Sequence, residues 1–220
     1  KLYTPVMHYF LKSMNKIITT SLNYSQSSKI LKEYKDKVEI IPIGLNEKSY
    51  PVPSKNEIDL TQSRVGNDFI LFVGMFRNYK GLNYLLKSAQ DISTNIVLVG
   101  KGPLEKELKN IVNNLRLSNI QFLGEVNEVE KVALFKLCRA VVLPSHLRSE
   151  AFGVTLIEGS MYGKPLISTE IGTGTSYINL NGKTGIVVPP RDSKSLKNAI
   201  IKISSDLSLS KKMGHSSRPR

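Results

Sequence analysis

Six short apolar runs recur along the second part of this chain, and helical patterns separate them. The runs are FILFVG (69–74), NIVLVG (95–100), NIQFLG (119–124), AVVLPS (140–145), KPLIST (164–169) and TGIVVPP (184–190). Intervening segments such as GLNYLLKSAQ and LEKELKNIVNNL repeat apolar residues every three or four positions. Strands that are apolar along their whole length are typical of parallel sheets covered on both faces. The sequence therefore predicts an α/β fold with a Rossmann-like parallel sheet and helices on both faces.

The first fifty residues lack this regular alternation. They contain an amphipathic segment, YTPVMHYFLKSMN, the strand-like run IITTS, one further helical pattern and the run VEIIPIGL, which are too few to close a core. We predict that residues 1–50 are the end of a preceding domain and a hinge. Residues 51–68 are rich in proline and polar residues and are predicted to be a linker. Residues 69–220 would be the α/β domain, truncated at its carboxyl end, and we expect the chain to be a fragment of a longer polypeptide.

The chain is strongly basic, with 31 Lys and Arg residues against 18 Asp and Glu residues and a formal charge of +13. The basic residues form no arginine-rich tract, zinc-ligand cluster or aromatic RNA-binding motif, so we expect no nucleic-acid partner. Diffuse positive charge suits phosphorylated substrates or peripheral contact with an anionic membrane, and it also serves simply as a solubilising surface. No apolar run reaches the roughly 18 residues that span a bilayer, which favours a cytoplasmic protein, either free or at the inner face of the cell membrane. Cys138 lies in an apolar stretch and is predicted to be a buried, inert thiol.

Two carboxylates, Glu150 and Glu158, flank an apolar stretch after the fourth run. If a helix begins near Phe152, the step between them covers about 12 Å, too far to share one proton or metal ion. The free N–H groups of the first helical turn would lie between the two acids and favour an anion there. A ligand with polar ends and a charged middle, such as a nucleotide sugar, fits this pattern. The alternative is a pair of solvated side chains, and an ordinary amphipathic pattern would leave Glu158 exposed.

Four motifs in order carry a family resemblance: VGMFRNYKGLNYLL, VLVGKGPLEKEL, IQFLGEV and PSHLRSEAFGVTLIEGSMYGKPLIST. They resemble the carboxyl-terminal domain of the retaining group 1 glycosyltransferases of family 4, which have the GT-B fold. The resemblance runs from about Ile17 to the last residue. It implies that residues 1–50 are the end of the acceptor-side domain and the hinge, and that residues 69–220 bind the nucleotide-sugar donor.

The resemblance also implies roles for individual residues. Glu150 would lie at the donor sugar and Lys80 would neutralise the departing diphosphate, which makes these two the catalytic residues. Glu158 would accept hydrogen bonds from the ribose hydroxyls. The other implied donor-binding positions are Gly74 after the first strand, Gly124 and Val126 beside the base, and the pyrophosphate-binding amides of Gly153, Val154, Thr155 and Leu156, with the Thr155 hydroxyl as a helper.

One position departs from the family pattern. The family has Gly-Arg directly after the first strand, whereas this chain has Gly74 followed by Met75. Arg77 either replaces that arginine as a donor ligand or is a surface residue, since alternate residues of an extended segment point to opposite sides. Two further features stay open in the same way: Arg148 is either near the donor or a loop charge, and residues 172–174 either approach the donor sugar or form a flexible loop.

The resemblance implies retaining transfer of a hexose from a GDP-mannose-like or UDP-sugar donor to a polysaccharide or lipid-linked acceptor, in bacterial surface glycan synthesis such as that of lipopolysaccharide. It implies no metal and no other cofactor, and the chain has no Asp-x-Asp motif. We expect the isolated chain to be inactive, because most of the acceptor-side domain is absent from it. Alternatives are a sugar-nucleotide-binding module without catalysis, a GT-B epimerase or phosphorylase-like enzyme, and a basic membrane-interaction protein.

Overall fold

The computed structural model describes residues 3–218. The amino-terminal part forms helix α1 (Tyr3–Ser13), strand β1 (Ile17–Thr19), helices α2 (Leu22–Ser27) and α3 (Lys29–Glu33), and strand β2 (Val38–Ile40). The two strands pair in parallel, with Ile17 opposite Val38. Single 3₁₀ turns follow α3 and precede Tyr50.

The larger part is a six-stranded parallel sheet, as the sequence predicts. Its strands are β3 (Ile70–Val73), β4 (Ile96–Val99), β5 (Ile120–Gly124), β6 (Ala140–Leu143), β7 (Leu166–Thr169) and β8 (Gly185–Val188). Their order across the sheet is β5-β4-β3-β6-β7-β8. Strands β4 and β5 are therefore added on one side of β3. Strands β6, β7 and β8 are then added on its other side.

Within residues 3–218, eight helices accompany this sheet. They are α4 (Lys55–Val65), α5 (Leu82–Ser88), α6 (Glu105–Asn114), α7 (Glu128–Leu137), α8 (Val154–Met161), α9 (Gly174–Ile178), α10 (Ser193–Ser205) and α11 (Leu207–Ser217). Because parallel crossovers are right-handed, the reversal of direction puts the helices of the β3–β5 half and those of the β6–β8 half on opposite faces. Helix α5 packs against α6 and α10, whereas α7 packs against α4 and α8 against α11. The α/β fold with helices on both faces is thus confirmed.

The central strands β3, β4, β6 and β7 are buried almost along their whole length, which explains why they are continuously apolar, whereas the edge strands β5 and β8 are partly buried. Ile70, Leu71 and Phe72 of β3 have no exposed surface, and β6 and β7 are buried at every position. The thiol of Cys138 is also buried, as predicted, and burial raises its pKa to about 12. Within the described part of the chain, no helix is both long and apolar enough to cross a membrane.

The segment 51–68, predicted as a linker, instead contains a packed helix. Helix α4 begins with a capping box, in which the Ser54 hydroxyl accepts from the Glu57 amide and the Glu57 carboxylate accepts from the Ser54 amide. Thr61 and Val65 are buried, and the helix packs against α7. The proline-rich start of the segment obscured this helix, although the Ser54-x-x-Glu57 spacing is a local signal for it. The division of the chain into domains stays a prediction.

The cap of α4 generates a stability prediction. Ser54→Ala removes the hydroxyl that accepts from the Glu57 amide and should lower the free energy of unfolding by about 1 kcal/mol. Ser63→Ala on the same helix is the matched control, because the exposed Ser63 hydroxyl donates only to the Leu60 carbonyl. Urea denaturation of both variants measures the effect. Equal stabilities for the two variants would contradict this role of the cap.

Candidate functional site

The candidate residues meet at the carboxyl ends of β3 and β6. These strands are neighbours, with Ile70 opposite Ala140, and the chain leaves them towards opposite edges of the sheet. Such a reversal opens a crevice outside the strand ends, where ligands of open α/β sheets bind. Lys80 lies in the loop after β3, whereas Glu150 lies in the loop after β6, just before α8.

Glu150 and Lys80 form a nearly buried ion pair. Lys80 Nζ lies 2.6 Å from Glu150 Oε2, and the side chains are 12% and 10% exposed. The hydroxyl of Ser145, at the end of β6, donates to the same carboxylate oxygen at 3.0 Å. Gly74 is beside this pair, because a Cβ at this position would lie 3.7 Å from Lys80 Nζ. The structure thus brings together Gly74, Lys80 and Glu150, which are far apart in sequence.

Helix α8 begins next to this ion pair. It starts at Val154, two residues after the predicted start, and Gly153 before it has a left-handed φ of 93°. Within residues 3–218, the amides of Gly153, Val154 and Thr155 donate no hydrogen bond. The Leu156 amide, the fourth predicted pyrophosphate ligand, instead donates to the Gly153 carbonyl at 2.9 Å. Three unused donors therefore remain at the positive end of the helix dipole.

The Thr155 hydroxyl, predicted as a helper for the pyrophosphate, has a different partner. It donates to the Val73 carbonyl at 3.1 Å. Val73 ends β3, so this bond ties the first turn of α8 to the strand that precedes Gly74 and Lys80. It fixes the helix start relative to the ion pair.

Glu158 is buried, contrary to the exposure that its amphipathic pattern predicts. It is 5% exposed and lies one turn beyond the start of α8. Its Oε1 lies 2.9 Å from Lys131 Nζ of α7 and accepts from the Tyr50 hydroxyl at 3.2 Å. The prediction failed because the compensating groups belong to distant segments, which helical periodicity does not reveal.

The charges around Glu158 shift the pKa values of its partners. Burial and the nearby Glu158 carboxylate raise the pKa of the Tyr50 hydroxyl to about 12, so this hydroxyl stays protonated near neutral pH. Burial alone would lower the pKa of Lys131, but its hydrogen bonds and attraction to Glu128 and Glu158 raise it above its ordinary value. Glu158 therefore faces a charged ammonium and a neutral hydroxyl.

The two acids have separate partners, as expected for groups too far apart to cooperate directly. Glu150 contacts Lys80 and Ser145, whereas Glu158 contacts Lys131 and Tyr50. The unused amides of the α8 first turn lie between these positions in sequence. The arrangement offers one carboxylate just before helix α8 and one a turn into it, with a place for an anion near the helix start.

Arg77 does not join the Lys80 and Glu150 pair. Its side chain is exposed, and its Nε lies 2.9 Å from the sulfur of Met75. Gly124 and Val126 lie farther across the sheet, at the end of the edge strand β5. The Gly124 carbonyl accepts from the Gly100 amide at 2.7 Å, and Val126 is half-buried against the core. These positions border the same edge of the sheet but do not contact the ion pair.

Arg148 links three segments of the chain. Its guanidinium donates to the Ser27 hydroxyl at 2.6 Å and to the Gly172 carbonyl at 2.9 Å, and it lies 4.9 Å from the centre of the Tyr24 ring. The loop that carries Glu150 is thus tied both to α2 and to the loop after β7. Arg148 is therefore more than an isolated loop charge.

Comparison with known proteins identifies the family. Residues 54–220 match the family model described as Glycosyl transferases group 1. The chain belongs to this family. As a group 1 glycosyltransferase it is 48% identical over 200 residues to D-rhamnosyltransferase WbpZ of Pseudomonas aeruginosa, covering 91% of this chain and 52% of WbpZ. It is 46% identical over 220 residues to O-antigen chain mannosyltransferase C of Escherichia coli, covering 100% of this chain and 59% of that relative.

Solved structures agree with this group 1 glycosyltransferase in fold. Sucrose-phosphate synthase from Thermosynechococcus elongatus has a TM-score of 0.83 and 25% identity, over 97% of this chain and 55% of that one. Anabaena HepE in complex with UDP-glucose has a TM-score of 0.82 and 21% identity, over 97% of this chain and 61% of HepE. The chain therefore spans little more than half the length of the curated relatives named above.

Two residues of the candidate site, Lys131 and Tyr50, were not predicted from the sequence. Lys131 looks like an ordinary exposed lysine of an amphipathic helix, and Tyr50 falls in a segment rich in polar residues and proline. Neither carries a local signal, because its importance comes from a contact with Glu158 across the fold. Ser145 was visible as the residue at a strand end, but its hydrogen bond to Glu150 was not.

The buried ion pair generates a prediction about coupling. Lys80→Met leaves the Glu150 carboxylate without its cation and should lower the free energy of unfolding by about 2 kcal/mol. The double variant Lys80→Met, Glu150→Gln should lose less than the sum of the two single losses, by about 1 kcal/mol or more. Chemical denaturation of the four proteins measures this difference. Additive losses would show that the two side chains do not interact in solution.

Proposed function

We propose that this chain is the donor-binding half of a retaining hexosyltransferase of family 4 that acts on a nucleotide sugar. The observation that carries the proposal is the placement of Lys80 and Glu150 beside the unpaired amides at the start of α8. An ammonium and three amide donors suit a diphosphate, and a carboxylate beside them suits a developing positive charge. Glu158, farther along α8, is then placed for the ribose.

The proposed reaction uses these groups as follows. The bond between the anomeric carbon and the diphosphate oxygen breaks, and its electron pair leaves with the diphosphate. Lys80 and the amides of Gly153, Val154 and Thr155 stabilise the departing negative charge. Glu150 stabilises positive charge at the anomeric carbon. The acceptor hydroxyl attacks from the side of the leaving group, and the leaving phosphate takes up its proton, so no protein base is required.

The relatives favour a particular class of substrate. By name, WbpZ is a rhamnosyltransferase and O-antigen chain mannosyltransferase C is a mannosyltransferase. The solved structure of HepE is a complex with UDP-glucose. We therefore propose a GDP-mannose-like or UDP-sugar donor and a polysaccharide or lipid-linked acceptor of a bacterial surface glycan. The proposal places the enzyme in the cytoplasm or at the inner face of the membrane, where the basic surface meets anionic lipid, and it invokes no metal ion.

A second candidate function is nucleotide-sugar binding without transfer. The contact between Arg77 and Met75 favours it, because the exposed Arg77 side chain lies against the Met75 sulfur and does not join Lys80 at the proposed phosphate position. The two functions differ in turnover and not in binding. Measuring both quantities on the same protein therefore separates them.

Two variants test the proposal in the full-length protein. Glu158→Ala should weaken binding of GDP-mannose or UDP-glucose by about tenfold in calorimetry, because the ribose loses a charged acceptor. Glu150→Ala should lower turnover by a factor of about 100 or more and change binding little. Glu107→Gln, an exposed acid of α6, is the control and should change neither quantity.

Each outcome bears on one of the two functions. Wild-type binding without turnover would favour the binding module. Normal binding and normal turnover in both the Glu158 and Glu150 variants would overturn the proposed site.

A further inference from the structure

Glu158 is held by two donors that both approach one of its oxygens. Lys131 Nζ lies 2.9 Å from Glu158 Oε1, and the Tyr50 hydroxyl donates to the same oxygen at 3.2 Å. In the part of the chain that the structure describes, Oε2 of Glu158 accepts no side-chain hydrogen bond. One oxygen is therefore engaged by the protein and the other is left for a ligand.

The same arrangement occurs at Glu150. Its Oε2 accepts hydrogen bonds from Lys80 Nζ at 2.6 Å and from the Ser145 hydroxyl at 3.0 Å. Across residues 3–218, its Oε1 accepts no side-chain hydrogen bond. Each acid thus has one lysine and one hydroxyl on a single oxygen. A carboxylate fixed through one oxygen presents the other in a defined direction, which reduces the entropy lost when a ligand binds.

The two donors on Glu158 also contact each other. Lys131 Nζ lies 5.5 Å from the centre of the Tyr50 ring. The same ammonium also forms an ion pair with the exposed Glu128, whose Oε2 lies 2.9 Å away. The Lys131 side chain is only 17% exposed, so its ammonium has little freedom to leave Glu158 for water. Tyr50 precedes α4, whereas Lys131 belongs to α7, and these two helices pack together. The two donors therefore reach Glu158 from the segment before α4 and from the helix on which α4 packs.

We propose that Lys131 and Tyr50 are positioning residues that orient Glu158, so that its free oxygen accepts hydrogen bonds from the ribose hydroxyls of a nucleoside diphosphate. This inference rests on the proposed function, which places ribose at Glu158. Neither residue needs to touch the nucleotide. Substituting either residue should therefore weaken only the binding that depends on the ribose hydroxyls. A general loss of positive charge would instead weaken binding of nucleotides with and without these hydroxyls.

Calorimetry with three nucleotides tests the inference. GDP and UDP are titrated into the protein, and the tighter of the two is compared with its 2′,3′-dideoxy form. Lys131→Met should weaken binding of the ribonucleotide about tenfold and Tyr50→Phe about threefold, in line with the loss of a charged and a neutral hydrogen bond. Both variants should bind the dideoxynucleotide as the wild type does. Lys131→Arg keeps the charge and should recover most of the affinity.

Lys136→Met is the matched control, because Lys136 is an exposed lysine on the same helix. It should bind both nucleotides like the wild type. Circular dichroism of every variant checks that the fold is retained. Because Tyr50→Phe removes only one oxygen, this variant still tests the inference if Lys131→Met misfolds.

The outcomes separate the inference from the function on which it rests. If Glu158→Gln binds the ribonucleotide normally, or if neither GDP nor UDP binds the wild type, the proposed function fails and the inference with it. If Glu158→Gln loses affinity for the ribonucleotide alone while the Lys131 and Tyr50 variants do not, only the inference fails. Equal losses for both nucleotides, or tighter binding after Lys131→Met, would also overturn the positioning role.

Discussion

The site depends on the need to compensate two buried carboxylates. A carboxylate that leaves water remains ionised only if a cation and further donors replace its hydration. As whole residues, Glu150 and Glu158 are 8% and 5% exposed, and each has a lysine and a hydroxyl within hydrogen-bonding distance. The four partners come from the loop after β3, the end of β6, helix α7 and the segment before α4. The site therefore exists only when these segments are folded together.

The topology of the sheet makes this assembly possible. Reversal of the strand order places the loops after β3 and β6 side by side, and glycine lets them approach closely. Gly81 has a left-handed φ of 70°, and a Cβ there would lie 2.1 Å from the Pro144 carbonyl oxygen. Any side chain at this position would push the loop with Lys80 away from the end of β6. The ion pair between Lys80 and Glu150 thus depends on a glycine that contributes no chemistry.

Much of this structure could be predicted from the sequence, and the parts that could not share a physical cause. The strands were predictable because burial on both faces requires continuous apolar runs, and the start of α8 was predicted within two residues. The placement of Lys80 and Glu150 followed from the family motifs. The burial of Glu158 was not predictable, since its partners Tyr50 and Lys131 are distant in sequence. Helix α4 was missed, although the capping box at Ser54 and Glu57 is readable locally.

In the proposed function, the first turn of α8 binds the diphosphate of a nucleotide sugar between Glu150 and Glu158. Titration of the ¹⁵N-labelled protein with GDP-mannose and with UDP-glucose, followed by NMR, tests it directly. We expect the largest amide shifts at Gly153, Val154 and Thr155, because their N–H groups donate no hydrogen bond within residues 3–218. Largest shifts elsewhere, for example in the groove between α4 and α7 around Leu60 and Val129, would contradict it.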